Sequence, residues 1–506
     1  MKQTSIRISA GVLLLFFLAG PVRPQTSRYE IVMDATLAQD QAVQVVLADL
    51  QSAGKSTGTE FFRSVRRLPA DVVVITTAPA KQDLLTKLNQ ARIALQPPAH
   101  PEGYEITTVP HAQGKSVIVA GRSAIAVVYG LYWLLDRMRV HGAIPDIHVK
   151  REPDLAIRKT RILVTSREDL HRALRFGLNV VFGENPLRLI PWDAEPERSE
   201  NIKNREKTRE LIEYAHSLHM KYLAFGTEFT YHPSLLREYQ ATLSPEDPHF
   251  WEAVQAKYRK LFQVMPELDG VGDFLGEEQT YWGAYRTFDP IHDATACDWS
   301  LEKKYRTYIT KVHQVVATEF HKLYFHITWD NHPNEVHAQP NVFRQTFTAE
   351  VPIENLYLIP SSTQNDRWWF QAFNPTFNVT PHHTLVVFET MDYHHGANVF
   401  PTYPGPYYQA WLQAVLGDAH CNLQGANMDM PGDDQFETRN LTAYTISRLS
   451  WNHNEDVKRI AQDFAAMRFG QAAAAGMADI LLLSPNAYRS EEHKSELQSP
   501  NTKSYA

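Results

Sequence analysis

Two short clusters of acidic residues have the types and spacing that acid–base chemistry requires. Glu277 and Glu278 are adjacent, and Glu389 and Asp392 form a second cluster further along the chain. Cleavage of a glycosidic bond uses one carboxyl group to protonate the leaving oxygen and another as base or nucleophile. Adjacent carboxylates repel each other, which favours a proton on one of them. We therefore expect Glu277 or Glu278 as the acid and Glu389 or Asp392 as its partner; the alternative is that all four are solvated loop acids or strand caps.

Aromatic and polar residues flank these acids in a pattern that suits sugars. Trp282 follows the first cluster, and Arg367, Trp368 and Trp369 form a run between the two clusters. Flat rings cover the C–H faces of sugars, while polar side chains bind the hydroxyl groups. The alternative for any one ring is packing in the core or between domains. The residues predicted to bind the substrate are Glu184, Glu228, Trp282, His326, Trp329, Asp330, Asn331, Arg367, Trp368, Trp369 and His394.

Histidines near the acids raise the question of a metal site. The sequence has no H-E-x-x-H motif and no clear helix that carries two histidines four residues apart beside a glutamate. It also has no G-x-S-x-G motif, no Walker loop and no cysteine in the context of a nucleophile. We therefore expect no metal and no cofactor. The histidines concerned are His292, His326, His332, His337, His382, His383, His394 and His395.

The elements that must position these residues are short β-rich runs, most of them separated by amphipathic segments. Eight such runs suggest a (β/α)₈ barrel, whose chemistry lies at the C-terminal ends of its strands. Polar residues such as Glu184, Glu277 and Glu389 directly follow the runs, although no clear helix precedes the sixth run. The runs are Arg161–Thr165, Asn179–Phe182, Tyr222–Phe225, Val271–Phe274, Leu323–Ile327, Leu356–Pro360, Leu385–Phe388 and Asn422–Gly425.

The predicted fold class is α/β: a (β/α)₈ TIM barrel, preceded by a small α/β sandwich domain and followed by a truncated helical region. Within the first domain, Ser123 can cap a helix over Ala124–Leu135. The stretch Arg489–Ser499 resembles the translation of a sequencing adapter. The predicted boundaries are a signal peptide at 1–25, an accessory domain at 27–150, the barrel at 155–434, the start of a helical domain at 435–488 and an artefactual tail at 489–506.

The N-terminus and the charge bear on location and partners. Lys2 and Arg7 precede the apolar run Gly11–Ala19, which is too short to span a bilayer stably but fits a secretory signal. The alternative is an uncleaved membrane anchor. We expect a secreted or periplasmic protein that has no membrane contact once the signal is removed. The net charge of −7 and the lack of a long basic run argue against nucleic acid or an anionic membrane as the main partner. The acidic clusters and the aromatic residues beside them make an oligosaccharide substrate the expected partner.

Three stretches resemble known glycoside hydrolases. The stretch Glu102–Leu135 is similar to the accessory domain that precedes the barrel in families 20 and 67. Phe370–Pro375 resembles the F-Q-P-R-E-P segment of family 67, the α-glucuronidases. Asn440–Trp451 is similar to the A-N-W-Y-A-F-G-R-L-A-W stretch that opens the helical domain of that family. The resemblance covers the chain up to about Leu483 and implies an inverting, α-glucuronidase-like enzyme.

The resemblance also implies residue roles. Glu277 or Glu278 matches the acid in the family's S-E-G-Q motif, and Asp392 matches one of the two acids that serve the attacking water. The other water-activating acid directly precedes F-Q in the family, where this chain has Trp369. Asp366 lies three residues earlier and is the nearest candidate for that role.

The cations that hold the glucuronate carboxylate in family 67 are not matched in this chain. A carboxylate buried without cationic partners is costly, so we expect a different sugar, one that could be neutral. A first alternative is a sugar-binding protein of the same fold that has lost its base, as Trp369 suggests. A second is a β-N-acetylhexosaminidase-like enzyme, which wants an Asp–Glu pair where this chain has Glu277–Glu278. The places of the cations fall on Asp273 or Phe274, His326 and Gln364.

Overall fold

The first unit of the fold is a mixed sheet covered by helices. In the sheet the strand order is β2-β1-β3-β5-β4-β6; β1 and β2 are parallel, and the other neighbours are antiparallel. The helices Gln41–Thr57 and Ala124–His141 pack on each other and on the sheet. Ser123 caps the second helix as predicted, since its side chain accepts a hydrogen bond from Ala126 N at 3.3 Å. The strands are β1 Ser27–Met33, β2 Thr59–Val65, β3 Val72–Thr77, β4 Tyr104–His111, β5 Gly114–Gly121 and β6 His148–Arg151.

The second unit is a closed barrel of eight parallel strands, which confirms the predicted fold class. Strand β16 pairs with β7 and closes the ring. A short antiparallel ribbon, β10 Thr230–Tyr231 with β12 Arg286–Thr287, lies outside the barrel sheet. The barrel strands are β7 Ile157–Thr160, β8 Val180–Gly183, β9 Lys221–Thr227, β11 Gly270–Phe274, β13 Leu323–Ile327, β14 Leu356–Ile359, β15 His383–Val387 and β16 Leu423–Met428.

Helices connect the barrel strands and continue after them. Pro340–Thr346 lies before β14, where the sequence had shown no clear helix. Among the described residues, no helix is both long and apolar enough to cross a bilayer. The helices from the barrel onward are Arg167–Arg175, Glu197–Ser217, Pro233–Glu238, Pro248–Val264, Leu301–His313 with its π-helical extension Gln314–Glu319, Pro340–Thr346, Gly405–Leu416, Glu437–Trp451, Val457–Phe469 and Ala474–Gln498.

These elements come from a computed structural model of the chain. The residues that it describes are 27–66, 68, 72–77, 95–111, 114–227, 230–275, 286–329, 335–364, 369, 371–388, 402–431 and 437–498. The predicted export signal lies outside these residues. The last helix includes positions 489–498 of the predicted artefactual tail, whose origin stays a prediction.

The first barrel strand lies earlier in the sequence than predicted. We expected Arg161–Thr165, but β7 is Ile157–Thr160. The reason is that Arg158 and Lys159 look like solvent-facing residues, whereas both are fully buried. Arg158 forms an ion pair with Glu102 and donates from Nε to Gly177 O at 2.6 Å, which ties the barrel to the first domain. Successive side chains of a strand face opposite ways, so Lys159 points into the barrel instead.

The interior of the barrel is largely apolar. Lys159 Nζ lies 4.1 Å from the centre of the Phe182 ring, and Phe182 belongs to this interior cluster. Ile157 packs against the same cluster from two residues earlier on β7. The alternation therefore places Ile157, Lys159 and Arg161 on the inner face. The fully buried core of the cluster is Val180, Phe182, Leu223, Phe325, Ile359, Leu385 and Val387.

Candidate active site at the mouth of the barrel

Most of the predicted site residues lie outside the described residues and stay predictions. They follow strands whose ends are described: β11 ends at Phe274, shortly before Glu277, and β15 ends at Val387, shortly before Glu389. The predicted residues concerned are Glu277, Glu278, Glu389, Asp392 and Asp366 among the catalytic set, and Glu228, Trp282, Asp330, Asn331, Arg367, Trp368 and His394 among the substrate-binding set.

Glu184 directly follows β8 at the C-terminal end of the barrel. Its Oε1 accepts a hydrogen bond from Asn185 N at 3.0 Å and lies 3.5 Å from Arg188 Nη1. Asn185 caps the short 3₁₀ turn Pro186–Arg188 by accepting from Leu187 N at 2.9 Å. This local turn holds the carboxylate of Glu184 in place while leaving it partly exposed at the end where barrel enzymes bind their substrates.

His326 lies in a buried polar network on the outer side of β13. Its Nδ1 is 2.7 Å from Asp273 Oδ1, and its Nε2 is 2.8 Å from the Tyr305 hydroxyl. The Asp273 carboxylate also accepts hydrogen bonds from the hydroxyls of Tyr308 and Tyr324. The network ties β11 and β13 to the helix Leu301–His313. Because His326 is fully buried and both of its ring nitrogens have protein partners, this position gives no support to the predicted contact with substrate.

The two described tryptophans of the predicted set differ in exposure. Trp369 is 2% exposed and packs edge-on against Tyr407, with 6.1 Å between the ring centres. This position favours the alternative that the ring packs in the core. Trp329 is half-buried beyond the end of β13 and packs edge-on against His337 at 5.1 Å. Trp329 therefore keeps an exposed part at the C-terminal end of the barrel.

Two pairs of polar residues cross the seam between β7 and β16. Lys159 and Asn427 are register partners, and Lys159 Nζ donates to Asn427 Oδ1 at 3.4 Å. Two residues further along each strand, Arg161 Nη1 lies 3.6 Å from Asp429 Oδ2. Arg161 N also donates to Met428 O at 2.8 Å, which continues the strand pairing to this point. We call Arg161 and Asp429 the mouth pair, because they follow the C-terminal ends of two neighbouring strands.

The mouth pair is not among the predicted site residues, because the first strand begins earlier in the sequence than predicted. With β7 at Ile157–Thr160, Arg161 comes just after the strand, where a barrel carries its functional residues. The sequence signal of this seam is a charged or polar residue at every second position, which places these residues on the same face. They are Lys159 and Arg161 in and after β7, and Asn427 and Asp429 in and after β16.

Lys159 is an ammonium group in an apolar layer. Its Nζ donates to Thr160 O at 3.0 Å and lies over the rings of Phe182 and Phe225, at 4.1 and 5.3 Å from their centres. Burial, together with the positive charge of Arg161, lowers the pKa of Lys159 to about 7. Near neutral pH the amine is therefore present in both its charged and its neutral form.

The mouth pair offers complementary groups to a sugar. A guanidinium only donates hydrogen bonds, and a carboxylate only accepts them when ionised. Side by side, they suit two neighbouring hydroxyl groups, one of which accepts from Arg161 while the other donates to Asp429. Arg161 is 17% exposed and Asp429 is 1% exposed, so the donor is the more accessible of the two.

His292 joins two segments on the same side of the barrel. Its Nδ1 lies 2.6 Å from Asp289 Oδ2, and its Nε2 lies 2.8 Å from Glu335 Oε2. Each ring nitrogen thus has a carboxylate oxygen within hydrogen-bonding distance. We call this set the His292 clamp. It connects the segment after β12 to the segment after β13, next to the predicted residues Asp330 and Asn331 in the sequence.

An open hollow lies at the opposite end of the barrel. It is formed by the turns before β15 and β16 and lined by Thr380, His383, Cys421 and Gln424, among others. Chemistry in (β/α)₈ barrels takes place at the C-terminal ends of the strands. The mouth, and not this hollow, is therefore the candidate active site.

Comparisons with known proteins give structural neighbours only. No protein-family model matches the chain, and no curated protein matches it in sequence. Among solved structures, a family 138 glycoside hydrolase that targets the pectin rhamnogalacturonan II is similar with a TM-score of 0.56 at 10% identity, over 90% of this chain and 68% of that one. The family 20 β-N-acetylhexosaminidase of Streptomyces coelicolor A3(2) is similar with a TM-score of 0.50 at 10% identity, over 90% of this chain and 92% of that one.

A third neighbour is a family 89 glycoside hydrolase from Clostridium perfringens, in complex with 2-acetamido-1,2-dideoxynojirimycin. Its TM-score is 0.52 at 10% identity, over 86% of this chain and 52% of that one. The neighbours thus share a fold with this chain and are glycoside hydrolases. Identities this low carry no statement about substrate, and the specific resemblance to family 67 stays a prediction.

Proposed function

We propose that this chain is a glycoside hydrolase that removes a sugar from plant or microbial oligosaccharides. The observation that carries the proposal is the mouth pair, a guanidinium and a carboxylate side by side at the C-terminal ends of β7 and β16. The shared fold of the barrel and several glycoside hydrolases supports the same activity. The predicted export signal fits a substrate outside the cytoplasm.

The proposed chemistry uses the two predicted acidic clusters. Glu277 or Glu278 protonates the leaving oxygen as the glycosidic bond breaks. Glu389 or Asp392, or Asp366 if the family 67 pattern applies, serves as base or nucleophile at the sugar carbon. The mouth pair binds hydroxyl groups of the sugar and holds it against these carboxylates.

We infer a neutral sugar and not a uronic acid. Arg161 supplies a cation of the kind that the resemblance to family 67 did not place in this chain, which by itself would favour a carboxylate. However, Asp429 lies 3.6 Å from Arg161, so a uronate bound to this guanidinium would bring a second carboxylate against Asp429. The repulsion between these two carboxylates would disfavour a uronate relative to a neutral sugar.

A second candidate is an enzyme that acts on N-acetylated amino sugars. It is favoured by the names of two neighbours, one a β-N-acetylhexosaminidase and the other bound to an acetamido-substituted iminosugar. An acetamido group is neutral, so it is compatible with the mouth pair. In such enzymes the acetamido group of the substrate takes the place of the second carboxylate as nucleophile.

The test is hydrolysis of a panel of substrates by the purified protein. The panel contains nitrophenyl glycosides of neutral hexoses and deoxyhexoses, nitrophenyl glycosides of N-acetylated hexosamines, and xylo-oligosaccharides that carry glucuronic acid. Release of a neutral sugar supports the leading proposal, and release of an acetamido sugar supports the second candidate. Release of glucuronic acid contradicts the inference of a neutral sugar. Binding without turnover would instead support the alternative of a sugar-binding protein that has lost its base.

Variants identify the residues responsible. The activities of Glu277→Gln and Glu278→Gln should differ strongly: one variant should lose nearly all activity, and the other should lose little. Arg161→Met should lower kcat/KM about tenfold or more, since a hydrogen bond to a charged group contributes roughly 1.5–3 kcal/mol. Glu210→Gln, an exposed carboxylate on the helix Glu197–Ser217, is the matched control. Full activity in both Glu277→Gln and Glu278→Gln would refute the assignment of the acid.

A further inference from the structure

Lys159 occupies a position in which an ammonium group is costly. It is fully buried, and its surroundings on β8 and β9 are the apolar rings of Phe182 and Phe225. Among the described residues, its hydrogen-bond acceptors are Thr160 O on its own strand and Asn427 Oδ1 on β16. A buried charge disfavours folding unless it is compensated, so packing of the core does not explain a lysine at this position.

The place of Lys159 relative to the mouth pair suggests its use. Lys159 lies two residues before Arg161 on β7, and its register partner Asn427 lies two residues before Asp429 on β16. The contact between Lys159 and Asn427 is thus the next contact below the mouth pair on the same two strands. It bridges the seam at which the barrel closes.

We propose that Lys159 is a positioning residue: by bonding Asn427 and the end of β7, its amine fixes Arg161 and Asp429 in the geometry that binds the sugar. The claim that the mouth pair binds a sugar rests on the proposed function, whereas the claim that Lys159 fixes the positions of Arg161 and Asp429 does not. Lys159 restrains both strands just before the mouth pair. Its amine bonds Thr160 O, the carbonyl directly before Arg161, and the side chain of Asn427, two residues before Asp429. Lys159 itself need not touch the sugar.

Two variants separate the hydrogen bonds of Lys159 from its charge. Lys159→Met keeps the length of the side chain but has no donor, whereas Lys159→Gln keeps a donor and has no charge. Lys207→Met, on the exposed face of the helix Glu197–Ser217, is the control. If the amine positions the mouth pair through hydrogen bonds, the glutamine variant retains the geometry and the methionine variant loses it.

The first readout needs no substrate. Crystal structures of the wild type and both variants should show Arg161 and Asp429 displaced in Lys159→Met and retained in Lys159→Gln. An unmoved pair in Lys159→Met overturns the proposal, whether or not the protein hydrolyses anything. Absence of turnover and of sugar binding by the wild type would overturn the proposed function instead.

The second readout uses the nitrophenyl glycoside that the wild type hydrolyses fastest. For Lys159→Met we expect kcat/KM to fall about tenfold, as for the loss of a hydrogen bond to a charged group, and Lys159→Gln should recover most of it. In the wild type, kcat/KM should change near neutral pH as Lys159 gains or loses its proton, and this change should be absent from both variants. Unchanged kcat/KM and an unchanged pH profile in Lys159→Met would contradict the role.

Discussion

Arg137 Nη2 lies 2.6 Å from Asp463 Oδ2, in an ion pair that joins the first domain to the helices after the barrel. Arg137 belongs to the helix Ala124–His141, and Asp463 belongs to Val457–Phe469. Both side chains are almost fully buried. A second guanidinium, that of Arg448, lies 3.6 Å from the same carboxylate and forms an ion pair with Glu455 as well. One carboxylate thus serves two buried cations.

Loss of this carboxylate should destabilise the protein strongly. We expect Asp463→Ala to cost about 3–5 kcal/mol of unfolding free energy, because two buried guanidiniums lose a shared partner. Asp479→Ala is the matched control, since Asp479 forms an ion pair with Lys458 at 3.1 Å on the same group of helices but is 57% exposed. That variant should cost less than about 1 kcal/mol. Equal shifts in the thermal midpoint of the two variants would contradict the larger contribution to stability that we expect from the buried carboxylate of Asp463.

Lys159 should make stability depend on pH in the neutral to alkaline range. Its folded-state pKa of about 7 lies below its ordinary value of 10.5, so the unfolded chain binds a proton that the native protein lacks between these values. Stability then rises with pH across this window, by at most about 1.4 kcal/mol per pH unit. Lys159→Met removes this contribution. The difference in thermal midpoint between wild type and variant should therefore change from neutral pH to about pH 10, in favour of the wild type.

The control for this measurement is Lys207→Met, which removes an exposed lysine and should shift the curve by a constant amount. A constant difference between the wild type and Lys159→Met across the whole range would show that Lys159 keeps its ordinary pKa in the folded protein.

The His292 clamp should hold two segments of the mouth together. His292→Ala removes contacts to Asp289 and Glu335, and we expect a loss of about 1–3 kcal/mol, with faster amide hydrogen exchange in residues 286–300 and 335–339. The comparison variant is His249→Ala, because the exposed ring of His249 lies 3.2 Å from the exposed carboxylate of Glu252, three residues away on the same helix. Exchange that stays at the wild-type rate in both segments of His292→Ala would refute the clamp.

Gly425 is required by the close approach of strands at the seam. A Cβ atom at this position would lie 2.0 Å from the backbone oxygen of Ile157, which cannot move without shifting β7. Gly425→Ala should therefore cost about 1–3 kcal/mol or more. Gly476→Ala tests the same change at an exposed position of the helix Ala474–Gln498, where no atom of the described residues outside the backbone of that helix lies within 4 Å of the added Cβ. There, alanine should stabilise by about 0.4–1 kcal/mol, and loss of stability in both variants would argue against a specific effect at the seam.

The sequence predicted the architecture better than the details of its first strand. Seven of the eight predicted runs overlap a barrel strand, since runs such as Leu323–Ile327 are apolar and bounded by polar turns. The first run failed because Arg158 and Lys159 look exposed by residue type. Their burial depends on Glu102, Gly177 and Asn427, which are distant in the sequence and adjacent only in the fold.

The same reason limits what the sequence could say about the site. The position of Glu184 after a strand end was predicted correctly, because that prediction needs only the order of elements along the chain, whereas its contact with substrate stays a prediction. The mouth pair depends on the closure of the barrel between its first and last strands, which no local pattern contains. The type of His326 suggested a contact with substrate, but the partners of its ring lie on other elements of the fold, so its buried position could not be read from the local sequence.

Arg158 has a consequence for any attempt to obtain the barrel alone. Its guanidinium is neutralised by Glu102 of the first domain and lies over the ring of Trp451, from a helix that follows the barrel. A shortened chain that begins near residue 152 would keep this buried cation and discard its counter-ion. The next residue on the same strand is Lys159, so the uncompensated charge of Arg158 would lie next to the residue that contacts Asn427. The leading domain thus supplies the counter-ion of a buried cation on the first barrel strand, so we expect a chain shortened to the barrel to be destabilised next to the mouth pair.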